Sequence, residues 1–291
     1  MVSFWDVQNK NKIYSYLLLS GMFFILLLII LGAYLILELD LIIVCILVFA
    51  SLVYVFLVNQ YSDSIILKMI GAKEADPKND IYIINVTEGL ALASGFKKPP
   101  KLYILEEDYP NAFALGKDPD NSAIVLTRGL IKIMDRAELE GVLAHEMSHL
   151  KNYDTRFMMI AVLTIGMISL LANVLLRVRI TSESSDKKDR GNILVLFYFL
   201  FLLLSPLFAY LLSYAISRKR EFLADSTAAQ LTRNPAGLAS ALEKIKNTTA
   251  QPKDYGSLNA LFIAEPVKRS LTHLFSTHPP IEERIKILRS M

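Results

Sequence analysis

Four hydrophobic stretches without any Asp, Glu, Lys or Arg most constrain how this chain can fold. They cover residues 13–37, 41–58, 157–176 and 193–216, and they are 25, 18, 20 and 24 residues long. At about 1.5 Å per residue, each can cross a hydrocarbon core about 30 Å thick. Hydrophobic residues make up 53% of the 291-residue chain, which is high for a soluble protein. We predict an α-helical membrane protein with four hydrophobic helices, the first of which is too long for a cleavable signal peptide.

Basic residues beside these stretches predict the orientation in the membrane. Lys10 and Lys12 precede the first stretch, and Arg218-Lys219-Arg220 follow the fourth. By the positive-inside rule, the N-terminus, residues 59–156 and the C-terminal segment face the cytoplasm. The loop of residues 177–192 conflicts with this topology, because it carries five Lys or Arg residues and should lie outside. Either this loop crosses against the rule, or the third and fourth stretches form a hairpin that does not span.

The polar part of the chain comes in two blocks, residues 59–156 and 217–291, which together have the size of one domain. We predict an α+β domain assembled from both blocks, next to membrane helices in residues 1–58 and 157–216. Periodicity predicts one helix and three strands in the first block, at residues 81–94, 101–105, 112–115 and 123–127. The net charge of +3 is too small to indicate nucleic acid as a partner, and the sequence gives no indication of an oligomeric state.

The motif His145-Glu146-Met147-Ser148-His149 has the H-E-x-x-H spacing of a catalytic zinc site. Residues four apart share one face of a helix, so the two imidazoles can bind one ion. Glu146 lies about 100° round the helix, where it can take a proton from a water molecule on that ion. The only cysteine, Cys45, lies in the second hydrophobic stretch, so histidines and carboxylates must provide the ligands. The motif predicts a metal-dependent hydrolase.

The surroundings of the motif predict a helix. Asp135 is a candidate N-cap, and Glu138 stands three residues later, as in a capping box. An apolar stripe follows at helical spacing, formed by Leu139, Val142, Leu143, Met147 and Leu150. Without an ion, a core helix would have to bury two histidines and a glutamate unsatisfied. This cost favours a metal site over a chance match.

A catalytic zinc needs a third protein ligand, and the second polar block offers Glu221 and Asp225. These carboxylates are four residues apart and share a helix face. One can bind the ion, while the other accepts the free N–H of a ligand histidine and fixes its tautomer. The alternative is that both are solvated charges near the membrane, beside the basic residues 218–220.

Together these motifs resemble the HtpX-type membrane zinc endopeptidases, which are relatives of the CAAX prenyl-protein proteases and, more distantly, of thermolysin. The resemblance rests on H-E-M-S-H at 145–149, E-F-L-A-D at 221–225, P-N-A-F-A-L-G at 110–116 and T-H-P-P at 277–280. It covers nearly the whole chain. It implies a zincin-like catalytic domain in which one Zn²⁺ is bound by His145, His149 and Glu221. It also implies Glu146 as the general base and Asp225 as a carboxylate behind a ligand histidine.

The resemblance implies further roles outside the metal ligands. His278 and Arg284 match a histidine and an arginine that stand near the scissile carbonyl in the CAAX proteases, where a cationic donor stabilises the oxyanion. The alternative is that His278 caps a loop and Arg284 lies on the surface of the last helix. The segment Asn111, Ala112, Phe113, Ala114 and Leu115 resembles the edge strand along which such enzymes bind substrate as an added β-strand.

We therefore expect an integral membrane zinc endopeptidase that cleaves damaged or misassembled membrane proteins, with polypeptides and the lipid bilayer as partners. The resemblance implies a multi-pass protein of the bacterial inner or plasma membrane with a cytoplasmic active site. One alternative is a membrane scaffold or chaperone with a structural metal, which predicts a closed fourth coordination position. The other alternative is a transporter. It is disfavoured because the hydrophobic stretches contain no Asp, Glu, Lys or Arg that could couple the transport of a substrate to an ion.

Overall fold

The computed structural model describes residues 4–37, 40–164, 166, 218–251, 253–263 and 279–291. The fourth hydrophobic stretch, most of the third, the basic loop between them and His278 lie outside these residues. The helices are α1 (Phe4–Leu37), α2 (Leu41–Ile70), α3 (Ile81–Ala93), α4 (Arg128–Ile133), α5 (Arg136–Lys151), α6 (residues 154–164), α7 (Arg218–Thr232), α8 (Pro235–Lys246) and α9 (Ile281–Arg289), with a 3₁₀ helix at Gly256–Leu261. The strands are β1 (Lys73–Glu74), β2 (Lys101–Leu105), β3 (Ala112–Asp118) and β4 (Asn121–Thr127).

Helices α1 and α2 contain the first two hydrophobic stretches, and both are long and apolar enough to cross a membrane. Asp40 caps the start of helix α2, and its carboxylate accepts a hydrogen bond from the N–H of Ile42 at 2.7 Å. Helix α2 leaves large apolar side chains exposed along its length, among them Leu41, Ile42, Ile46, Phe49, Leu52 and Phe56. Such a surface is costly in water and suits lipid. The first two of the four expected hydrophobic stretches are therefore helices in this structure.

The strands form one small mixed sheet in the order β1-β2-β4-β3. Strand β4 pairs in parallel with β2 and antiparallel with β3, and β1 pairs antiparallel with β2. The sequence predicted β2 with its observed bounds, but β3 and β4 are longer than expected. Because β4 lies between β2 and β3, strand β3 forms one edge of the sheet.

Helix α5 carries the H-E-x-x-H motif and begins as predicted. The side chain of Asp135 accepts from the N–H of Glu138 at 3.0 Å, and the Glu138 carboxylate accepts from the N–H of Asp135 at 2.8 Å. This capping box satisfies two N–H groups that a helix start leaves unpaired. The predicted apolar stripe of α5 is entirely buried, so α5 is the central helix of the domain.

Both polar blocks contribute to one hydrophobic core. It includes side chains of the first block, such as Ile83, Leu126 and Leu143, together with Leu242 and Ile285 of the second. Helices α5 and α8 approach closely, since a Cβ on Gly141 would lie 2.8 Å from the backbone nitrogen of Leu238. A Cβ on Gly237 would likewise lie 2.6 Å from the carbonyl oxygen of Ala137. This packing brings α7 and α9 of the second block next to the motif helix.

Candidate metal centre

Three side chains from two helices converge at the middle of the domain. His145 and His149 lie on α5, and Glu221 lies in the first turn of α7. The Nε2 atoms of the two histidines are 3.2 Å apart. The Glu221 carboxylate lies 3.7 Å from Nε2 of His145 through Oε2 and 3.5 Å from Nε2 of His149 through Oε1. These ligand atoms all lie within 4.8 Å of one another.

This arrangement fits a small divalent cation. A tetrahedral ion about 2.0 to 2.1 Å from each ligand atom places those atoms about 3.3 to 3.4 Å apart. The two imidazole nitrogens, 3.2 Å apart, come close to that value, and each lies 3.5 or 3.7 Å from one of the two oxygens of the Glu221 carboxylate. Two imidazole nitrogens and one carboxylate oxygen are also ligands that Zn²⁺ accepts. His145, His149 and Glu221 could therefore hold a metal ion.

Asp225 lies behind His145, one helical turn beyond Glu221. Its Oδ1 atom is 2.9 Å from Nδ1 of His145, so the imidazole donates Nδ1–H and keeps the Nε2 lone pair for a metal. Arg284 of α9 donates to the same carboxylate through Nε at 2.9 Å and Nη2 at 2.7 Å. His145, Asp225 and Arg284 are each at most 1% exposed. This buried chain of contacts fixes the ring of His145.

Asp154 occupies the equivalent place behind His149. Its Oδ2 atom is 3.2 Å from Nδ1 of His149, so Nε2 of His149 faces His145 and Glu221. This contact was not predicted from the sequence. The chain turns sharply between α5 and α6, where Tyr153 has a positive φ of 60°. That turn places Asp154 below the last turn of α5, which no local pattern in the sequence indicates.

Glu146 lies beside the ligands and points toward strand β3. It is 3% exposed, and the backbone N–H of Ala114 donates to its carboxylate. Burial raises the pKa of Glu146 to about 7, against the opposing effect of His149. A carboxylate with a pKa near neutrality can both accept and return a proton.

The histidines differ in their protonation. Burial and the charge of Arg284 lower the pKa of His145, which keeps its ring neutral for a metal. Burial also acts to lower the pKa of His149, but Glu221 and Asp154 outweigh it and raise that pKa to about 9. For Asp225, burial acts upward, but Arg284 and His145 outweigh it and hold the pKa well below its usual range. Without an ion, His145 is therefore neutral at neutral pH and His149 is protonated beside the Glu221 and Asp154 carboxylates, so a cation that binds His149 would displace its proton.

Comparison with known proteins identifies the family. A family model described as "Peptidase family M48" matches residues 77–291, which is most of the chain and includes all the residues of the centre. The chain belongs to peptidase family M48. The expected resemblance to HtpX-type enzymes is confirmed, and the chain is a metallopeptidase.

Relatives within M48 cover most of this chain. It is 45% identical to a "Protease HtpX homolog" of Dictyoglomus thermophilum over 249 residues, which are 84% of this chain and 82% of that protein. A "Protease HtpX homolog" of Caldanaerobacter subterraneus subsp. tengcongensis is 45% identical over 244 residues, 82% and 81% of the two chains. One from Streptococcus gordonii is 37% identical over 249 residues, 83% and 84% of the two chains. Among solved structures, S. mikatae Ste24p matches with a TM-score of 0.48 and 19% identity, covering 99% of this chain and 67% of that one.

The remaining candidate residues of this M48 peptidase lie as follows. Arg284 is buried against Asp225, so the alternative that it is a surface residue of the last helix is wrong. His278 lies outside the described residues. Asn111 precedes the edge strand, and Ala112, Phe113 and Ala114 lie within it; all four are buried.

Membership of M48 and two apolar helices make this chain a membrane metalloprotease that acts on polypeptides. The family is metal-dependent, and His145, His149 and Glu221 form a group that could bind the metal. Within the part of the chain that the structure describes, helices α1 and α2 are candidate membrane spans.

Proposed function

We propose that this chain is a zinc endopeptidase of the bacterial cell membrane in which His145, His149 and Glu221 bind one Zn²⁺. The observation that carries the proposal is the convergence of these three side chains at ligand distance, with a buried carboxylate behind each imidazole. Bound zinc polarises a peptide carbonyl and lowers the pKa of a water molecule toward 7. No thiolate competes, because the only cysteine, Cys45, lies on α2.

Glu146 is the proposed general base. It follows His145 on the motif helix, and electrostatic interactions link it to His149, Glu221 and Arg284. The residue takes a proton from the attacking water and passes it to the leaving amine, which requires a carboxylate that changes protonation near neutral pH.

Strand β3 is the proposed binding surface for the substrate backbone. It is an edge strand, and the N–H of Ala114 donates to Glu146, so this edge leads directly to the general base. A substrate held by backbone hydrogen bonds is recognised largely without regard to its sequence. The C=O of Ala112 already accepts from the N–H of Ile263 at 2.8 Å. A substrate strand can therefore pair with the part of β3 that follows Ala112, or with Ala112 itself once Ile263 has moved away.

Arg284 and His278 are proposed to act on the oxyanion. Arg284 Nη1 lies 3.6 Å from Oε2 of Glu221 and Nη2 lies 3.4 Å from Nδ1 of His145, so a positive charge stands next to the ligands. Such a charge stabilises a developing negative oxygen in a buried setting. The proposed role of His278 rests on the resemblance of the chain to the CAAX proteases.

The proposed cellular role is the removal of damaged or misassembled membrane proteins. The resemblance to HtpX-type enzymes supports this role. The catalytic centre is also attached to apolar helices that suit the bilayer, which favours membrane proteins as substrates. Basic residues flanking the hydrophobic stretches support a multi-pass protein with a cytoplasmic active site. In this scheme, residues 1–58 and 157–216 form the membrane part, and residues 59–156 and 217–291 form the catalytic part.

The test is zinc content and proteolysis of the purified full-length protein. We expect about one zinc per chain, cleavage of casein and of a model membrane protein, loss of both cleavages with a chelator and recovery with added zinc. A protein that retains zinc but never cleaves would favour the scaffold alternative. Cleavage that persists in the metal-free protein would contradict the proposal.

A further inference from the structure

A side chain of the first candidate membrane helix reaches the metal centre. Asn11 of α1 is 1% exposed, and its amide donates two hydrogen bonds. One goes to the C=O of Asn152 and the other to Oδ1 of Asp154, both at 2.8 Å. The opposite carboxylate oxygen of Asp154 accepts from Nδ1 of His149 at 3.2 Å. Asn11 is therefore connected to His149 through one carboxylate.

The surrounding contacts hold α1 in this position. Lys12 lies 4.2 Å from the ring centre of Tyr153, and Tyr16 lies below the guanidinium of Arg156 at 4.6 Å. Beyond them, a separate apolar cluster joins α1 to α6, with members that include Leu18, Met22, Phe157 and Ile160. The two helices are packed together over several turns, so the Asn11 contacts are part of a fixed interface.

Asp154 needs such a partner to orient His149. A carboxylate behind an imidazole fixes the ring only if the carboxylate itself is held. Within the described residues, Asp154 is contacted by Asn11 and His149, and Nη1 of Arg220 lies 3.6 Å from Oδ1. The Asn11 contact is the shortest of these. It also comes from an element outside both polar blocks.

We propose that Asn11 is a positioning residue for the metal centre: it holds Asp154, which in turn orients the imidazole of His149. The first membrane helix is then a working part of the metal site as well as an anchor. This inference rests on the proposed function, because it assigns Asn11 a role toward the proposed zinc. It assigns no direct contact between Asn11 and the metal or the substrate.

Zinc affinity of the full-length protein tests the inference without any assay of proteolysis. The variants are Asn11→Ala, Asp154→Ala and the double variant, with Asn9→Ala as control, since Asn9 is an exposed asparagine of the same helix. Loss of a carboxylate behind a ligand histidine weakens metal binding about 10- to 100-fold. We expect the zinc affinity of Asp154→Ala to fall by an amount in that range. The affinity of Asn11→Ala should fall about tenfold relative to the wild type, and that of Asn9→Ala should stay within about twofold of it.

The double variant separates positioning from general stability. If Asn11 acts through Asp154, the double variant binds zinc no more weakly than Asp154→Ala, because the two losses are not additive. The absorption bands of the Co²⁺-substituted protein should also shift in Asn11→Ala and stay unchanged in Asn9→Ala. Asn11→Leu keeps a similar volume without the donors and should reproduce the effects if the alanine variant folds poorly.

Wild-type affinity in both Asn11 variants would overturn the inference, and so would fully additive losses in the double variant. In those cases the proposed function would stand, because the wild type would still bind zinc. Failure of the wild type itself to bind zinc would overturn the proposed function and the inference together.

Discussion

Nε2 of His149 lies 3.5 Å from Oε1 of Glu221, although the third and fourth hydrophobic stretches separate these residues in the chain. One ion can be bound by both only if the chain returns to its starting side between them. We therefore expect the two stretches to cross the membrane twice together or not at all. This holds whatever side the basic loop of residues 177–192 prefers.

The first prediction concerns the side on which the centre lies. Asp120 and Lys253 are exposed residues of the first and second polar blocks. After Cys45 is replaced, Asp120→Cys and Lys253→Cys should both be shielded from a membrane-impermeant thiol reagent in intact cells, because the basic residues favour a cytoplasmic location. Both should react once the cells are permeabilised. Labelling of only one in intact cells would contradict a shared centre, and labelling of both would invert the orientation.

The second prediction is that Glu146→Ala keeps the metal and loses proteolysis. Glu146 is assigned to handle protons and not to bind the ion, and a general base contributes about 10² to 10⁴ in rate. Metal analysis and casein cleavage measure the two properties separately. Glu140→Ala is the matched control, since Glu140 lies on the same helix and pairs with Arg136 near the surface. A Glu146→Ala enzyme that retained more than a tenth of the wild-type rate would refute this mechanism.

The third prediction separates the carboxylates of α7. Glu221→Gln should lower zinc affinity sharply, because it removes a proposed ligand. Asp225→Asn should lower it about 10- to 100-fold, because Asp225 acts through His145. Glu243→Gln serves as control, since Glu243 pairs with Arg289 on the exposed side of the domain. Full zinc occupancy in Glu221→Ala would exclude this ligand and direct the search to Asp154 or His278.

The fourth prediction concerns the buried pair of Arg284 and Asp225, whose side chains are each 1% exposed. Removing one partner leaves the other charge buried without compensation, which costs about 3 to 5 kcal/mol. Arg284→Ala should therefore lower the thermal unfolding midpoint of the metal-free protein strongly. Arg289→Ala, on the same helix but largely exposed, should change stability by less than about 1 kcal/mol. Equal effects of the two substitutions would show that the buried pair is not important for stability.

Local features of the fold could be predicted from the sequence because they depend on neighbouring residues. The capping box of Asp135 and Glu138 and the helix that follows are examples, since spacing alone determines whether these side chains can meet. The order of the strands could not be predicted in this way. Strand β4 pairs with β2 in parallel through Lys101 and Ala123, and which strands become neighbours depends on packing over the whole domain.

The same distinction applies to the candidate metal centre. His145 and His149 are related by one helical turn, and Glu221 and Asp225 by another, so each pair is visible in the sequence. Asp154 was missed because its position depends on the left-handed turn at Tyr153. The contact of Asn11 with Asp154 joins residues 143 positions apart, and no periodic pattern relates them.

X-ray absorption spectroscopy of the zinc-loaded protein tests the central claim most directly, because it reports the ligands of the ion itself. We predict one zinc per chain with two imidazole ligands at about 2.0 to 2.1 Å and oxygen ligands at about 2.0 to 2.2 Å. The imidazole signal should fall by half in His149→Ala, and the protein should lose its zinc in the absence of both His145 and His149. A spectrum without imidazole ligands, or one unchanged in His149→Ala, would contradict a metal centre formed by His145, His149 and Glu221.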